Sequence, residues 1–433
     1  MKVFFWALIV ALGGFLFGFD TAVISGAEKS IQQVWQLTAW AHGVTISIAL
    51  VGTVFGALLG GWPSERLGRR TTLFWIAGLY LVSALGAALA SRWGVFMAFR
   101  FLGGLGVGAS SVTAPLYISE LAPAASRGRL VALFQFNVVF GILVAYLSNY
   151  LLADTGPDAW RWMLGVQVVP AAIFFGLLFL VPRSPRWLLR QGRVAEGLEV
   201  LARIDPATAQ HDADAILKAT KNAKTGSLWS PEYRRPLLLA GLLAFFNQAS
   251  GIDAIIYFAP RIFGMAGLGQ SSALLSSAGI GLTNFVFTLL AMSVIDRFGR
   301  RTLLFVGSIG LVLTLGLVAR AFFLQQLGGL GVPLLLFGYI AFFAFSQGAV
   351  LWVFVSEVFP AEVRTQGQVL GSTVHWLTAT VIAFVFPYLS EQLGGGITFS
   401  FFAVMMGLQF LYVIFLMPET KGTSLEGDVV VSH

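Results

Sequence analysis

Asp20 is an acid with no charged neighbour, deep inside an apolar run from Val3 to Ser25. An ionised carboxylate at such depth in a bilayer costs at least ~2.5 kcal/mol, so such groups are usually paired and functional. Counting about 1.5 Å per helical residue from the start of the run puts Asp20 roughly 25 Å along it. Arg100 lies a few residues into another apolar run, which travels the opposite way, so the two side chains reach the same depth. A carboxylate beside a guanidinium is held as the anion. Taken from that partner in a site poor in water, it favours the protonated acid. That chemistry links a proton to a conformation, and a static structural bridge is the plainer alternative. Other apolar runs carry Gln135, Asn247, Gln248, Asp253, Tyr257, Trp352, His375 and Trp376. Hydrogen-bonding groups and aromatic faces together suit a hydroxyl-rich solute that also presents C–H surface. The plainer readings are interhelical hydrogen bonds for the amides and packing or lipid contact for the rings.

A transmembrane helix needs about 20 mainly apolar residues. Twelve runs qualify: 3–25, 40–61, 72–91, 95–119, 128–152, 160–182, 236–264, 272–295, 302–323, 333–358, 366–390 and 397–417. Backbone polar groups cannot go unpaired in hydrocarbon, which predicts helices, and the runs are too long and continuous for barrel strands. The composition agrees: 57% of the 433 residues are hydrophobic and 11% charged, against about 25% charged in soluble domains. The solvent is therefore lipid. The net charge of +7 sits in short loops rather than on a nucleic-acid-binding face. With no Cys, disulfides and thiolate chemistry are excluded. His42, His211, His375 and His433 form no ligand set, and no phosphate-binding loop is present, so neither an enzyme nor a metal or other cofactor is expected. The first run is long for a signal-peptide core and is read as a retained span.

Arg66, Arg69, Arg70, Arg127, Arg129, Arg297, Arg300, Arg301, Arg364 and Lys421 fall in one set of loops. The polar segment 183–235, with amphipathic stretches at 193–204 and 212–224, lies on the same side. The opposite set holds Lys29, Arg92, Arg161, Arg261 and Arg320, which places both termini in the cytoplasm by the positive-inside rule. The chain also repeats itself. SERLGRRTTL at 64–73 matches IDRFGRRTLL at 295–304, and ISELAPAASR at 118–127 matches VSEVFPAEVR at 355–364, at offsets of about 231 and about 237 residues. This organises the chain as a six-helix half (1–182), a cytoplasmic helical linker (183–235), a second half (236–417) and a tail (418–433). A substrate site is expected between such halves. Acids recur beside the basic loops: Glu65 with Arg66, Glu120 with Arg127, Asp296 with Arg297 and Glu357 with Arg364. Arg forks onto a carboxylate, so these residues with Arg69, Arg70, Arg300 and Arg301 are read as a cytoplasmic gate. Topological anchoring is the alternative. An intermediate offset of about 233 sets Gly18-Phe19-Asp20 beside Gly251-Ile252-Asp253, making Asp253 the symmetric mate of Asp20.

FGFDTAVISG at 17–26, the two GRR loops, ELAPAASRGR at 120–129, SPRWLL at 184–189, NQASGIDAIIY at 247–257 and PETKG at 418–422 carry a family resemblance. In this order, over nearly the whole chain, they resemble the sugar porter family of the major facilitator superfamily. The closest look is to bacterial proton-linked pentose and hexose symporters, with facilitative glucose transporters similar in outline. The resemblance implies the twelve-helix fold, a monomer, a bacterial inner-membrane location, and a monosaccharide and protons as partners. It implies that Asp20 and Arg100 form the proton-coupling pair, an acid that facilitative relatives replace by Asn. It implies that Gln135, Asn247, Gln248, Asp253, Tyr257, Trp352, His375 and Trp376 line the sugar pocket, and that the loop charges form the inner gate. The alternatives are a sugar uniporter or a cyclic polyol (inositol) carrier. A nutrient sensor, the third class, is disfavoured by the short tail. Several departures stand out. Arg183 replaces the acid of a Pro-Glu-Ser-Pro-Arg motif. Asn247 replaces a glutamine, Asp253 an asparagine and His375 an amide. The QGAVL run at 347–351 replaces a Gly- and Pro-rich one, predicting a gentler bend in the tenth span. Asp253 is expected to accept sugar hydroxyls and to take part in protonation with His375, or else to stay protonated as an asparagine substitute.

Overall fold

The computed structural model describes residues 2–123, 126–221, 227–327, 330–360 and 362–421. Among them, twelve helical segments are long and apolar enough to cross a membrane. The first five spans are α1 (Lys2–Val34), α2 (Ala39–Leu59) with the short α3 (Gly61–Arg66), α4 (Arg69–Leu89), α5 (Trp93–Leu121) and α6 (Arg127–Leu152). The sixth is split into α7 (Ala159–Gly165) and α8 (Val168–Leu177). Three short helices follow outside the spans: α9 (Pro185–Arg190), α10 (Val194–Ile204) and α11 (Ala209–Lys221). The last two match the two amphipathic stretches, of which 222–224 lie outside the described residues, and the three make a small core of their own, with Leu189, Leu201, Ala209 and Ala213 in one cluster and Trp187, Leu188 and Val200 in another.

The seventh span is α12 (Arg234–Ala249) plus α13 (Ile252–Met265), broken at Gly251. Gly251 adopts φ +84°, a left-handed conformation that costs a residue with a Cβ about 1–2 kcal/mol. The Ser250–Gly251 break is where the sequence allows one. A kink at Phe258 follows from Pro260 two residues on, which cannot complete the ladder. Next come α14 (Gln270–Phe298) and α15 (Arg300–Phe323). The tenth span divides into α16 (Gly331–Phe345) and α17 (Gln347–Val358), and α18 (Arg364–Gln392) and α19 (Gly394–Phe415) complete the set. The tenth span was expected to bend gently, yet Ser346 leaves helical geometry altogether at φ −115°, ψ −85°. A helix can therefore break there without the family's Gly-Pro run. The first helix runs to Val34 rather than Ser25, because its charged end, Glu28, has partners inside the protein.

The helices form two compact units. The first holds residues 2–21, 51–145 and 161–221; the second holds 22–50, 146–160 and the described residues from 227 onward. These units put the ends of α1, α2 and α6 with the later helices, whereas the repeat divides the chain at the linker. Within the first unit glycine lets helices touch backbone to backbone. A Cβ on Gly18 would lie 1.9 Å from the Val138 carbonyl oxygen, and one on Gly141 would lie 2.1 Å from that of Phe15. Small-residue contacts of this kind replace the hydrophobic drive that is missing between helices in lipid. Here they lock α1 against α6 within a turn of Asp20.

Candidate functional site

In the first unit, Arg100 on α5 donates Nη1–H to the Asp20 Oδ1 on α1 at 2.8 Å, and both residues are 3% exposed. Gly103, one turn beyond Arg100, clears the way: a Cβ there would press on Ser83 Oγ at 2.4 Å and come into ordinary contact with Asp20 Oδ1 at 3.7 Å. The two most chemically telling charges of the sequence thus meet in a dry, tightly packed place. Gln135 lies on α6, half-buried, with no hydrogen bond to another described residue.

The second unit gathers most of the remaining candidates. Gln248, in the last turn of α12, stands with Nε2 3.0 Å from Nε2 of His375 on α18, and its buried Oε1 has no partner among the described residues. The His375 ring centre lies 5.1 Å from that of Trp352 on α17 and 4.7 Å edge-on from Trp376. Trp352 keeps 38% of its surface exposed while His375 and Trp376 are buried. Asn247 is drawn away from this group. Its Nδ2 donates to the Gln347 carbonyl at 3.3 Å, where the tenth span restarts, and the Gln347 side chain donates to Gln409 at 2.8 Å. Asp253 sits in the first turn of α13, 8% exposed, with Oδ2 buried and unpartnered. Tyr257 is buried one turn further on. The Gly251 break divides Asn247 from Asp253 and Tyr257, so these three do not share one continuous helix face.

The basic loops form two copies of one arrangement, each inside its own unit. Arg69 forks Nε and Nη2 onto Glu120 Oε1, with Nη2 at 2.9 Å, and gives Nη1 to the Ser64 carbonyl. Arg300 forks onto Glu357 with Nη2 at 2.7 Å and gives Nη1 to the Ile295 carbonyl. Arg70 binds the carbonyls of Leu178 and Phe179, as Arg301 binds those of Val413 and Ile414. Ser184 and Thr420 hydroxyls complete the Glu120 and Glu357 carboxylates at 2.5 and 2.7 Å. One position breaks the copy. The Glu419 carboxylate accepts the backbone N–H of Arg300 and of Arg301 at 2.9 and 3.0 Å, capping α15, whereas the matching sequence position of the first half, between Pro182 and Ser184, is the exposed Arg183. Of the other loop candidates, Glu65 is exposed and gives only its carbonyl, to Trp187. Arg66 lies over the Trp62 ring and Arg297 over Phe298. Arg364 donates to the Phe359 carbonyl, and Arg127 begins α6. Asp296 belongs to α14, but its side chain lies outside the described atoms, as do residues 422–433 of the tail.

Sequence reasoning missed a third cluster, in the second unit. Glu28 on α1 is fully buried and receives Arg261 Nη2 at 2.7 Å and the His42 imidazole at 2.8 Å. Arg261 continues to Glu391 on α18 at 3.0 Å and to Gln32. Four helices are tied by one guanidinium. Glu28 and Arg261 are separated by 233 residues, the offset that also relates Asp20 to Asp253, so the repeat itself held the signal. Arg261, which the charge pattern assigns to a loop, lies within α13.

A chain made of membrane-length helices, with its polar chemistry held inside them, is a polytopic membrane protein. It belongs to the family described as "Sugar (and other) transporter", whose model matches residues 6–428. The arabinose-proton symporter of Bacillus subtilis is 36% identical over 425 residues, covering 96% of this chain and 92% of that protein. The D-xylose-proton symporter of Escherichia coli K12 is 34% identical, with coverages of 98% and 94%. The E. coli xylose transporter in a partially occluded, inward-open conformation superposes with a TM-score of 0.88 at 32% identity, covering 98% of this chain and 99% of that one. The fold is the twelve-helix fold of that transporter.

Proposed function

We propose that this protein imports a monosaccharide, hexose or pentose, together with a proton, by alternating access. The observation that carries the coupling is the buried Asp20–Arg100 pair: an acid whose partner can be withdrawn is a proton carrier, and an amide in its place would not be. Membership of the sugar transporter family, with relatives named as arabinose-proton and D-xylose-proton symporters, supports the cargo. Gln135, Gln248, Asp253, His375, Trp352 and Trp376 are the sugar contacts in this reading, with Asn247 and Tyr257 shaping the break beside them. The Arg69–Glu120 and Arg300–Glu357 forks close the cytoplasmic ends of the two repeats, and the Glu28–Arg261 cluster ties the outer ends. Both termini face the cytoplasm of a bacterial cell, the working unit is a monomer in the inner membrane, and the repeat division into 1–182, 183–235 and 236–417 describes the moving parts. No chemistry is done on the sugar.

The test is sugar-induced alkalinisation of lightly buffered, de-energised cells expressing the protein, across pentoses, hexoses and inositol. Alkalinisation with one sugar identifies cargo and coupling together. Labelled uptake without alkalinisation makes the protein a uniporter and Asp20–Arg100 a structural bridge. Uptake confined to inositol replaces the monosaccharide by a cyclic polyol.

A further inference from the structure

Among the described residues, the acids that the helices shield from water have cations within ion-pair distance, with one exception. Asp20 has Arg100 at 2.8 Å, Glu28 has Arg261 at 2.7 Å, Glu120 has Arg69 at 2.9 Å and Glu357 has Arg300 at 2.7 Å. Asp253 is as enclosed as these, and neither a Lys, an Arg nor a His reaches it. Its Oδ2 is buried without a hydrogen bond. The repeat explains the vacancy. The cation of the first half is Arg100, and the stretch that matches it in the second half, 333–337, reads PLLLF. An enclosed carboxylate needs a partner or a proton, because burial of an unpaired charge is strongly unfavourable. The polar groups around it are already committed as donors elsewhere: Tyr146 to the Ile256 carbonyl at 2.7 Å and Tyr339 to Ser250 at 3.1 Å. Five residues before Asp253, across the Gly251 break, Gln248 opens onto the aromatic group of Trp352 and Trp376 around His375. An enclosed acid without a counter-ion is the chemistry that recognises an ammonium.

We infer that the sugar site of the second unit accepts an amino sugar, with Asp253 as the counter-ion of its protonated amine. This deepens, and rests on, the reading of the protein as a sugar carrier. It separates Asp253 from its symmetric mate: Asp20 has a cation built into the chain, and Asp253 receives one with the cargo.

The experiment uses the full chain in proteoliposomes, with labelled D-glucosamine as the probe. D-glucose and N-acetyl-D-glucosamine, which have no cationic amine, are the competitors. Glucosamine should bind about tenfold or more tightly than either, the size expected of one charge-assisted hydrogen bond. That ratio should collapse to about one in Asp253→Asn and persist in Asp253→Glu. Quenching of tryptophan fluorescence by the three ligands, read on the unmutated protein, gives the same ratio without depending on a variant's folding. Transport of neutral sugars with no preference for the amine overturns the inference: Asp253 then holds its own proton, and the sugar-carrier reading stands. Failure to bind or move either kind of sugar overturns both.

Discussion

Replacing Asp20 by Asn keeps the size of the side chain and one acceptor for Arg100 but removes the charge and the site for a proton. At 2.8 Å and an effective dielectric constant of about 20, the pair attracts by about 6 kcal/mol. Most of that offsets the cost of taking two ions out of water, and breaking such a pair from one side costs about 3–5 kcal/mol. Asn retains a hydrogen bond to the guanidinium, so Asp20→Asn should lose less than Arg100→Ala, which leaves a 3% exposed carboxylate with nothing opposite. Function should divide more sharply than stability. With one proton per sugar, a pH difference of one unit across the membrane is worth about 1.4 kcal/mol and sustains about tenfold accumulation. Proteoliposomes with an imposed pH gradient, labelled sugar and an entrapped pH dye read both quantities. The unmutated protein should accumulate sugar about tenfold per pH unit and move protons with it. Asp20→Asn should still exchange sugar in counterflow, reach only equal concentrations inside and out, and move no protons. If the variant accumulates sugar as the parent does, the proton travels elsewhere and the coupling argument from this pair is wrong.

Four further outcomes are expected. Glu28→Gln leaves Arg261 with one carboxylate and should destabilise the protein by about 3–5 kcal/mol in thermal unfolding, against a change within about 0.5 kcal/mol for exposed Lys29→Ala. Gly18→Ala drives a methyl into the Val138 carbonyl and should cost at least about 1–3 kcal/mol; Gly78→Ala, with nothing within 4 Å, should gain up to about 1 kcal/mol. Gly251→Ala meets both a left-handed backbone and the Phe402 ring at 2.6 Å, so uptake should fall while the linker helices keep their proteolytic resistance. Glu419→Gln weakens the cap on α15 and should lower stability by about 1 kcal/mol. That change is read as a shift in the unfolding midpoint.

The helices were legible because hydrocarbon leaves a backbone no choice; each predicted run became a helix or a broken pair of helices, most of them with ends shifted by a few residues. Where the ends moved most, a charge had found a partner that linear reading cannot see. Hydropathy stops the first span at Ser25, and the helix continues because Glu28 meets Arg261 and His42. Depth alone allowed Asp20 and Arg100 to meet, and the family resemblance named them as a pair. The grouping of Gln248, His375, Trp352 and Trp376 was not, since three helices bring them together and only the family resemblance named them as a set. The pairing of the loop charges was half legible: acids and arginines were both marked. Yet the forks join Arg69 to Glu120 and Arg300 to Glu357, because the first residue of the helix after each GRR turn points back across to the neighbouring helix end.

The repeat gives a way to separate structure from function within this one chain. Where the halves agree, a side chain does the same mechanical task twice: Arg69 and Arg300 fork an acid, and Arg70 and Arg301 hold carbonyls. Where they differ, we propose that a duplicated scaffold serves two uses. The helices that carry Asp20 and Arg100 are unbroken, and their matches are broken at Gly251 and Ser346. A continuous helix holds a pair of charges rigidly at one depth, as a proton site requires. A broken one frees backbone groups and re-aims side chains, as a site for a hydroxyl-rich cargo requires. Asp253 stands beside a break and lacks the arginine of its mate, so it inherits the acid of the first half without that acid's task.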